Sequence, residues 1–499
     1  MLLLFALASL AAHLAAITQY GYFRDELYYL ACAQHPAWGY VDQPPLSIAV
    51  LWLVRHTLGD TLPALRLVPA LANAATVYLT GRLARSLGGG RAAQALAALS
   101  ALFAPVFLGT CHVYSMNALD LLLSAVAFTL LLPAVERGRT RDWVALGVVL
   151  GLGLLNKISV FWLGGGIGAG LLLTRHRRTF LTWGPWIAAA IAGALFAPHI
   201  LWQSAHGWPT VEFMRNATSQ KMAAVTLESF ATGQVLQMGP GTAPLWLTGL
   251  AFCFLLPAGV RGRIFGVAYL AVFVLLAFAG RSRASYLAPA YVPLLALGGI
   301  AVERLARRPS LRWFPAAAGA WVALLALPII PFALPVLSVE RFIEYSRAIG
   351  VTPRSEEHLA VAELPQQYAD MFGWEEMARG VVRVYRSLPP AERARCGVFA
   401  QNYGEAGALD FFGGPMGLPP ALCGHNSYWW WGPGRADGSV MIILGGDSRE
   451  IARLFEHVEQ ADLVTCRHCM PYERTLPIYL ARGLKVPLAQ LWPKVRFYI

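Results

Sequence analysis

The sequence predicts a mainly α polytopic membrane protein of about 11 transmembrane helices, followed by a small α/β domain outside the membrane. Three observations carry this. Mean hydropathy is +0.50, and only 14% of residues are charged against 57% hydrophobic, where a soluble chain carries about 25% charged residues. The net charge of +12 is unevenly placed: residues 1–339 hold 23 Lys and Arg against 10 Asp and Glu, whereas residues 340–499 hold 17 against 18. Basic residues also gather in every second loop between apolar runs, the pattern of cytoplasmic loops. Together these exclude a soluble enzyme, a disordered chain and a collagen-like chain. The pI of about 9.5 comes without a basic stripe interleaved with aromatics, so no nucleic-acid partner is expected.

Apolar runs long enough to be read as spans fall at 2–18, 62–83, 92–108, 118–132, 143–155, 159–173, 183–202, 244–260, 264–279, 286–302 and 313–336. The fifth is short and could merge with its neighbour. Arg82, Arg85 and Arg91 follow the second run, Arg137, Arg139 and Arg141 the fourth, and Arg175, Arg177 and Arg178 the sixth. Arg261 and Arg263 follow the eighth, and Arg304, Arg307, Arg308 and Arg312 the tenth. The N-terminus is therefore expected in the cytoplasm and the tail on the outer side. The first run lacks a basic leader and is followed by the bulky Gln19-Tyr20, which favours an uncleaved span over a signal peptide. Arg24, Lys157, Arg215, Lys221, Arg281 and Arg283 then stand out as basic residues on the outer side.

The outer loops hold the candidate chemistry. The first runs Tyr20-Gly21-Tyr22-Phe23-Arg24-Asp25-Glu26-Leu27-Tyr28-Tyr29 and continues to Asp42-Gln43-Pro44-Pro45. A carboxylate partly withdrawn from water at a membrane surface can serve as a general base; the plainer reading is a solvated loop ending a helix. After the Pro-Pro break, 46–56 is apolar but too short to span and reads as an interfacial helix. Asp120 opens an apolar run and is costly unless it faces the protein interior. Asn156-Lys157 and Gly280-Arg281-Ser282-Arg283-Ala284-Ser285-Tyr286 bring cations to the same side, able to hold a phosphate or to snorkel toward lipid headgroups. His199 and Glu212 sit in a stretch rich in aromatics, without metal-ligand spacing. Gly88-Gly89-Gly90 lacks the Lys-Ser/Thr of a nucleotide loop.

Residues 24–46 resemble the first loop of bacterial GT-C membrane glycosyltransferases, the superfamily of dolichyl-phosphate-mannose protein mannosyltransferases and lipid A aminoarabinose transferases. The likeness continues through Asp120-Leu121-Leu122-Leu123, Asn156-Lys157, His206-Gly207-Trp208-Pro209-Thr210 and Ser285-Tyr286-Leu287-Ala288-Pro289. It covers most of residues 1–335. In the tail, Gln401-Asn402-Tyr403-Gly404-Glu405-Ala406-Gly407 and Gly424-His425-Asn426-Ser427-Tyr428-Trp429 look like a bacterial subgroup's appended domain. The resemblance implies a multi-span enzyme that takes a sugar from a polyprenyl-phosphate donor and inverts its anomeric carbon on the outer face of the bacterial inner membrane. The acceptor would be a lipid, glycan or protein, with membrane lipids as surroundings. It implies catalytic roles for Asp25, Glu26 and Asp120, and donor-phosphate binding by Lys157, Arg281, Arg283 and Tyr286. Arg24, Asp42, Gln43, His199 and Glu212 would support them. Aminoarabinose transferases carry Lys before the Pro-Pro pair, where this chain has Gln43. No cofactor is identified and no metal site is assigned, although a divalent metal is compatible.

Two domains are expected: residues 1–336 in the membrane with outer loops, and residues 337–499 as a soluble α/β tail joined through a linker near 334–352. Strands are predicted at 398–400 and 440–444, with Gly445-Gly446-Asp447 turning into a helix over 448–458. Cys466 and Cys469 form a CxxC that can pair with itself, pair with Cys396 and Cys423, stay reduced or bind metal. Cys32, Cys111 and Cys253 read as small core residues. The rival function is a transporter or flippase of a lipid-linked sugar, for which paired internal repeats would be expected and none is evident. A third reading makes the tail a binding domain on a degenerate membrane anchor.

Overall fold

The structure is a computed structural model that describes residues 1–353 and 357–499. Each of the eleven apolar runs contains a helix. Among the described residues, five helices are long and apolar enough to cross a membrane: Leu62–Ser86, Met116–Arg137, Gly184–Ala205, Ala284–Leu305 and Pro309–Ala333. A sixth is reached by counting Leu227–Met238 and Ala243–Leu255, bent by 115° at their break, as one broken span. The eighth run is thus only the second arm of a bent pair. Its first arm carries Glu228, Gln234 and Gln237, which hid it from a hydropathy reading. The bend falls at Gly239, whose φ of +80° suits glycine.

The helices pack through small residues. A Cβ on Gly249 would run into the Leu294 carbonyl oxygen, and one on Gly298 into that of Leu245. Helices Ala243–Leu255 and Tyr291–Leu305 therefore approach backbone to backbone. One buried polar group spans three helices: the Tyr291 hydroxyl donates to Gln234 at 2.9 Å and lies 3.0 Å from the Tyr269 hydroxyl. Helix Leu46–Thr57, expected at the interface, buries Ile48, Leu51 and Val54 and leaves Trp52 and Leu53 exposed.

The expected linker is instead a packed helix, Val339–Ala348, capped by the Ser338 hydroxyl. Its Phe342 and Ile343 share a buried cluster with Tyr368 and Met371. The tail is built on a five-stranded mixed sheet: β1 (Cys396–Ala400), β2 (Ala421–Cys423), β3 (Val440–Leu444), β4 (Phe455–Thr465) and β5 (Thr475–Leu484), in the order β2-β1-β3-β5-β4. The first three pair in parallel, and β5 runs antiparallel between β3 and β4. β1 and β3 are the strands read from sequence. The helix expected over 448–458 ends at Leu454, where the chain enters β4. β4 is an edge strand with a mostly polar, exposed face, so it lacks the apolar signature of β1 and β3.

Cys466 pairs with Cys469, while Cys396 and Cys423 are free and buried, as are Cys32, Cys111 and Cys253. One apolar cluster unites Leu27–Ala33, Ile48, Leu65 and Tyr114 of the N-terminal part with Trp374, Val398, Ala406 and Ile442 of the tail. The tail thus shares its core with the loop and helix that follow the first apolar run.

Candidate active site

Helix Arg24–Gln34 begins the site. Its third residue, Glu26, accepts from the Phe23 backbone N–H at 2.8 Å and so closes the helix start. The same carboxylate takes Arg66 Nε at 3.0 Å, Arg66 Nη2 at 2.9 Å and the Tyr114 N–H at 2.8 Å. Arg66 donates its remaining hydrogens to the carbonyls of Ile17, Gln19 and Gly21. Glu26 is completely buried and saturated with donors, which makes it a brace between helix Arg24–Gln34, the segment around Tyr114 and helix Leu62–Ser86.

Asp25, one residue earlier, points the other way. Its side chain is 35% exposed, with Oδ1 accepting from the Tyr403 hydroxyl at 3.0 Å and lying 3.6 Å from Arg24 Nε. Arg24 in turn reaches Asp370 at 3.8 Å, donates to the Tyr472 hydroxyl at 3.3 Å and lies 5.4 Å from the centre of the Tyr403 ring. Burial pushes Asp370 up to about 6 against the pull of Arg24. Asp42 is likewise pushed up to about 6 by burial, although it accepts from the Tyr28 hydroxyl at 2.8 Å.

A cationic pair shares the Glu357 carboxylate, and its lysine, Lys221, lies within electrostatic reach of Asp25. Lys221 sits 3.6 Å from Glu357, and Arg283 makes a close ion pair with the same carboxylate. Burial works to raise Glu357, but Lys221, Arg283 and Arg24 overcome it and hold the carboxyl below its ordinary range. Burial lowers the Lys221 ammonium, with Glu357 and Asp25 opposing. Arg281 does not join this pair: its guanidinium donates to the carbonyls of Thr218 at 2.6 Å and Ser219 at 3.0 Å, fixing the backbone that leads to Lys221.

A third group gathers where helices Met116–Arg137 and Thr140–Asn156 meet. Lys157 lies 3.4 Å from Asp120, donates to Asn117 at 2.8 Å and sits 5.4 Å from the centre of the Tyr286 ring. Ser159 donates to Asp120 at 3.2 Å. Asp120 is buried and faces the protein, as its cost in lipid requires.

The remaining sequence-predicted residues are placed elsewhere. His199 is buried with Nδ1 3.1 Å from the Trp38 carbonyl, docking helix Gly184–Ala205 on the loop that follows helix Arg24–Gln34. Glu212 meets Arg496 at 3.3 Å on the surface, tying the chain's end to helix Pro209–Asn216. Gln43 is fully buried. Among the described residues, no three His, Cys, Asp or Glu side chains are grouped as metal ligands. Sequence reasoning did not assign Tyr403, Asp370, Tyr472 or Glu357; Lys221 was flagged by its side of the membrane but given no role.

Apolar helices form the body, carboxylates and cations gather at one end of it, and the mixed-sheet tail packs against the first loop. Residues 42–202 match the family model of the dolichyl-phosphate-mannose-protein mannosyltransferases. Among solved structures, ArnT from Cupriavidus metallidurans bound to undecaprenyl phosphate matches with a TM-score of 0.64 at 13% identity, over 95% of this chain and 97% of that one. Its apo state gives 0.62 at 14% identity over the same shares. The Archaeoglobus fulgidus oligosaccharyltransferase tethered to an acceptor peptide matches with a TM-score of 0.51 at 14% identity, over 82% of this chain and 63% of that one. No curated protein sequence matches the chain.

Proposed function

We propose that this protein is an integral-membrane glycosyltransferase that moves a sugar from a polyprenyl-phosphate donor to an acceptor on the outer face of the bacterial inner membrane. The observation that carries the reading is Asp25: a partly open carboxylate, oriented by Tyr403 and Arg24 and set among Lys221 and Arg283, inside a fold shared with a protein solved with undecaprenyl phosphate. In this reading Asp25 takes the proton of an acceptor hydroxyl or amine as that atom attacks the anomeric carbon. The bond from that carbon to the phosphate oxygen breaks, the configuration inverts, and polyprenyl phosphate leaves. Such a donor is already activated, so the protein must supply a base and cations for the departing phosphate. Lys157, Arg283 and Lys221 take the cationic role, with Tyr286 beside Lys157 and Asp120 holding it. Arg281 positions the Lys221 segment, Glu26 braces the helix that bears Asp25, and Arg24 and Asp42 set its surroundings.

The same reading places residues 1–336 in the membrane, with the short helices completing about eleven spans, the N-terminus in the cytoplasm and residues 337–499 outside. The test is transfer from a panel of radiolabelled polyprenyl-phosphate sugars into lipid, protein and glycan fractions of membranes, with wild type beside Asp25→Asn. Label appearing only with wild type supports the reading and gives the acceptor class. No transfer from any donor by a folded protein that binds the lipid would favour transport of a lipid-linked sugar.

A further inference from the structure

The tail reaches Asp25 through the Tyr403 hydroxyl, 378 positions away in the chain. The segment 401–408 is a rigid presentation device. The Asn402 side chain accepts from the N–H groups of Gly404 at 2.9 Å and Glu405 at 3.0 Å, capping the short helix Tyr403–Ala408. Glu405 locks the other side, accepting from the Gln401 N–H and from Asn402 Nδ2, each at 2.8 Å. Tyr403 is fixed by its ring as well: it packs 4.6 Å from the centres of both the Tyr28 and the His425 rings. At Gly404 a Cβ would collide with Arg24, so the tail backbone lies directly against the arginine beside Asp25. The next contact along the chain is also close, because a Cβ on Gly407 would lie 2.9 Å from the Leu27 carbonyl.

We infer that Tyr403 is a positioning residue for Asp25: its hydroxyl, held by the tail, fixes which carboxylate oxygen stays free for the acceptor. The inference rests on the proposed role of Asp25 as the base. Asp25 has two oxygens, and Oδ1 is taken by the Tyr403 hydroxyl at 3.0 Å, with Arg24 3.6 Å away. Among the described residues no hydrogen bond reaches Oδ2, which then remains for the incoming proton. The other charged groups that act on Asp25 are Lys221, Asp42 and Asp370, none of which hydrogen-bonds its carboxylate. Burial pushes the Tyr403 hydroxyl well above the ordinary tyrosine range, so it remains a donor at any working pH. The tail is, on this account, part of the active centre and not an accessory. Orienting a reacting group in this way is worth one to two orders of magnitude in turnover.

The experiment uses the full-length protein in detergent or vesicles and replaces Tyr403 by Phe, which keeps the ring and its stacking. The expected result is a kcat reduced about tenfold, with the donor KM within about twofold and an unchanged melting midpoint. In an Asp25→Glu background, whose longer side chain no longer meets the hydroxyl in the same register, the Tyr403→Phe penalty should shrink to within about twofold. A kcat unchanged by Tyr403→Phe, or an equal loss in both backgrounds, overturns the inference. Should the Phe variant fail to accumulate, 3-fluorotyrosine at position 403 keeps the shape and alters the hydroxyl's acidity; there a changed kcat supports the role and an unchanged one overturns it. Full transfer by Asp25→Asn would instead remove the base on which the inference stands, and so separates the two failures.

Discussion

Two adjacent carboxylates, Asp25 and Glu26, occupy opposite environments. Glu26 is enclosed, holding Arg66 through two hydrogen bonds and two backbone N–H groups besides. Asp25 is 35% exposed and is held through one oxygen by a residue 378 positions away. The inner cluster has every lone pair committed and no room for a substrate. The outer one keeps an oxygen available and is ringed by groups contributed from the tail. A helix start thus uses Glu26 to hold the fold and presents the preceding Asp25 to the candidate site.

The largest effect expected from breaking the inner cluster is on the fold itself. Arg66→Met leaves Glu26 buried without its partner, which costs about 3–5 kcal/mol. The variant should give little folded protein by size-exclusion chromatography, whereas Asp25→Asn should accumulate normally. Lys157→Met sharpens the outer side of the comparison. It should raise the donor KM by about tenfold or more, measured in the transfer assay, with a smaller loss of stability because Asp120 keeps its hydrogen bond from Ser159.

A pH effect separates stability from activity. Burial pushes Glu405 up to about 7, opposed by its bonds from Gln401 and Asn402, and pushes Asp370 and Asp42 up to about 6. Each folded form holds its proton more tightly than the unfolded chain, so unfolding releases protons above the ordinary carboxylate range. Stability should therefore be greatest below about pH 4 from these groups and fall as pH rises toward 6 and 7. Melting midpoints measured from pH 5 to 7.5 should decline, and Glu405→Gln should flatten part of that decline. The smallest effect is expected at the surface: Glu212→Ala removes an exposed pair with Arg496 and should change stability by less than about 1 kcal/mol, with transfer unaffected within twofold.

The membrane body was legible because apolar runs and alternating basic loops are strong, local signals, and each run does contain a helix. The bent pair was not, because the polar side chains of Leu227–Met238 break its hydropathy. Asp120 and Lys157 could be read as partners of one region, being outer charges at the ends of neighbouring runs. Nothing local distinguishes Asp25 from Glu26, since only packing depth tells them apart. Tyr403, Asp370, Tyr472 and Glu357 are ordinary residue types in a tail of ordinary charge density, brought to the first loop by long-range packing. His199 bonds a loop carbonyl and Glu212 a surface arginine, long-range contacts that their aromatic stretch does not announce.

The most direct measurement pairs two readouts on purified Asp25→Asn protein: binding of polyprenyl phosphate and transfer from the sugar-loaded lipid. The account predicts lipid binding within about twofold of wild type and transfer reduced by about 10²–10⁴-fold. Wild-type transfer by Asp25→Asn, with the same binding, would contradict it.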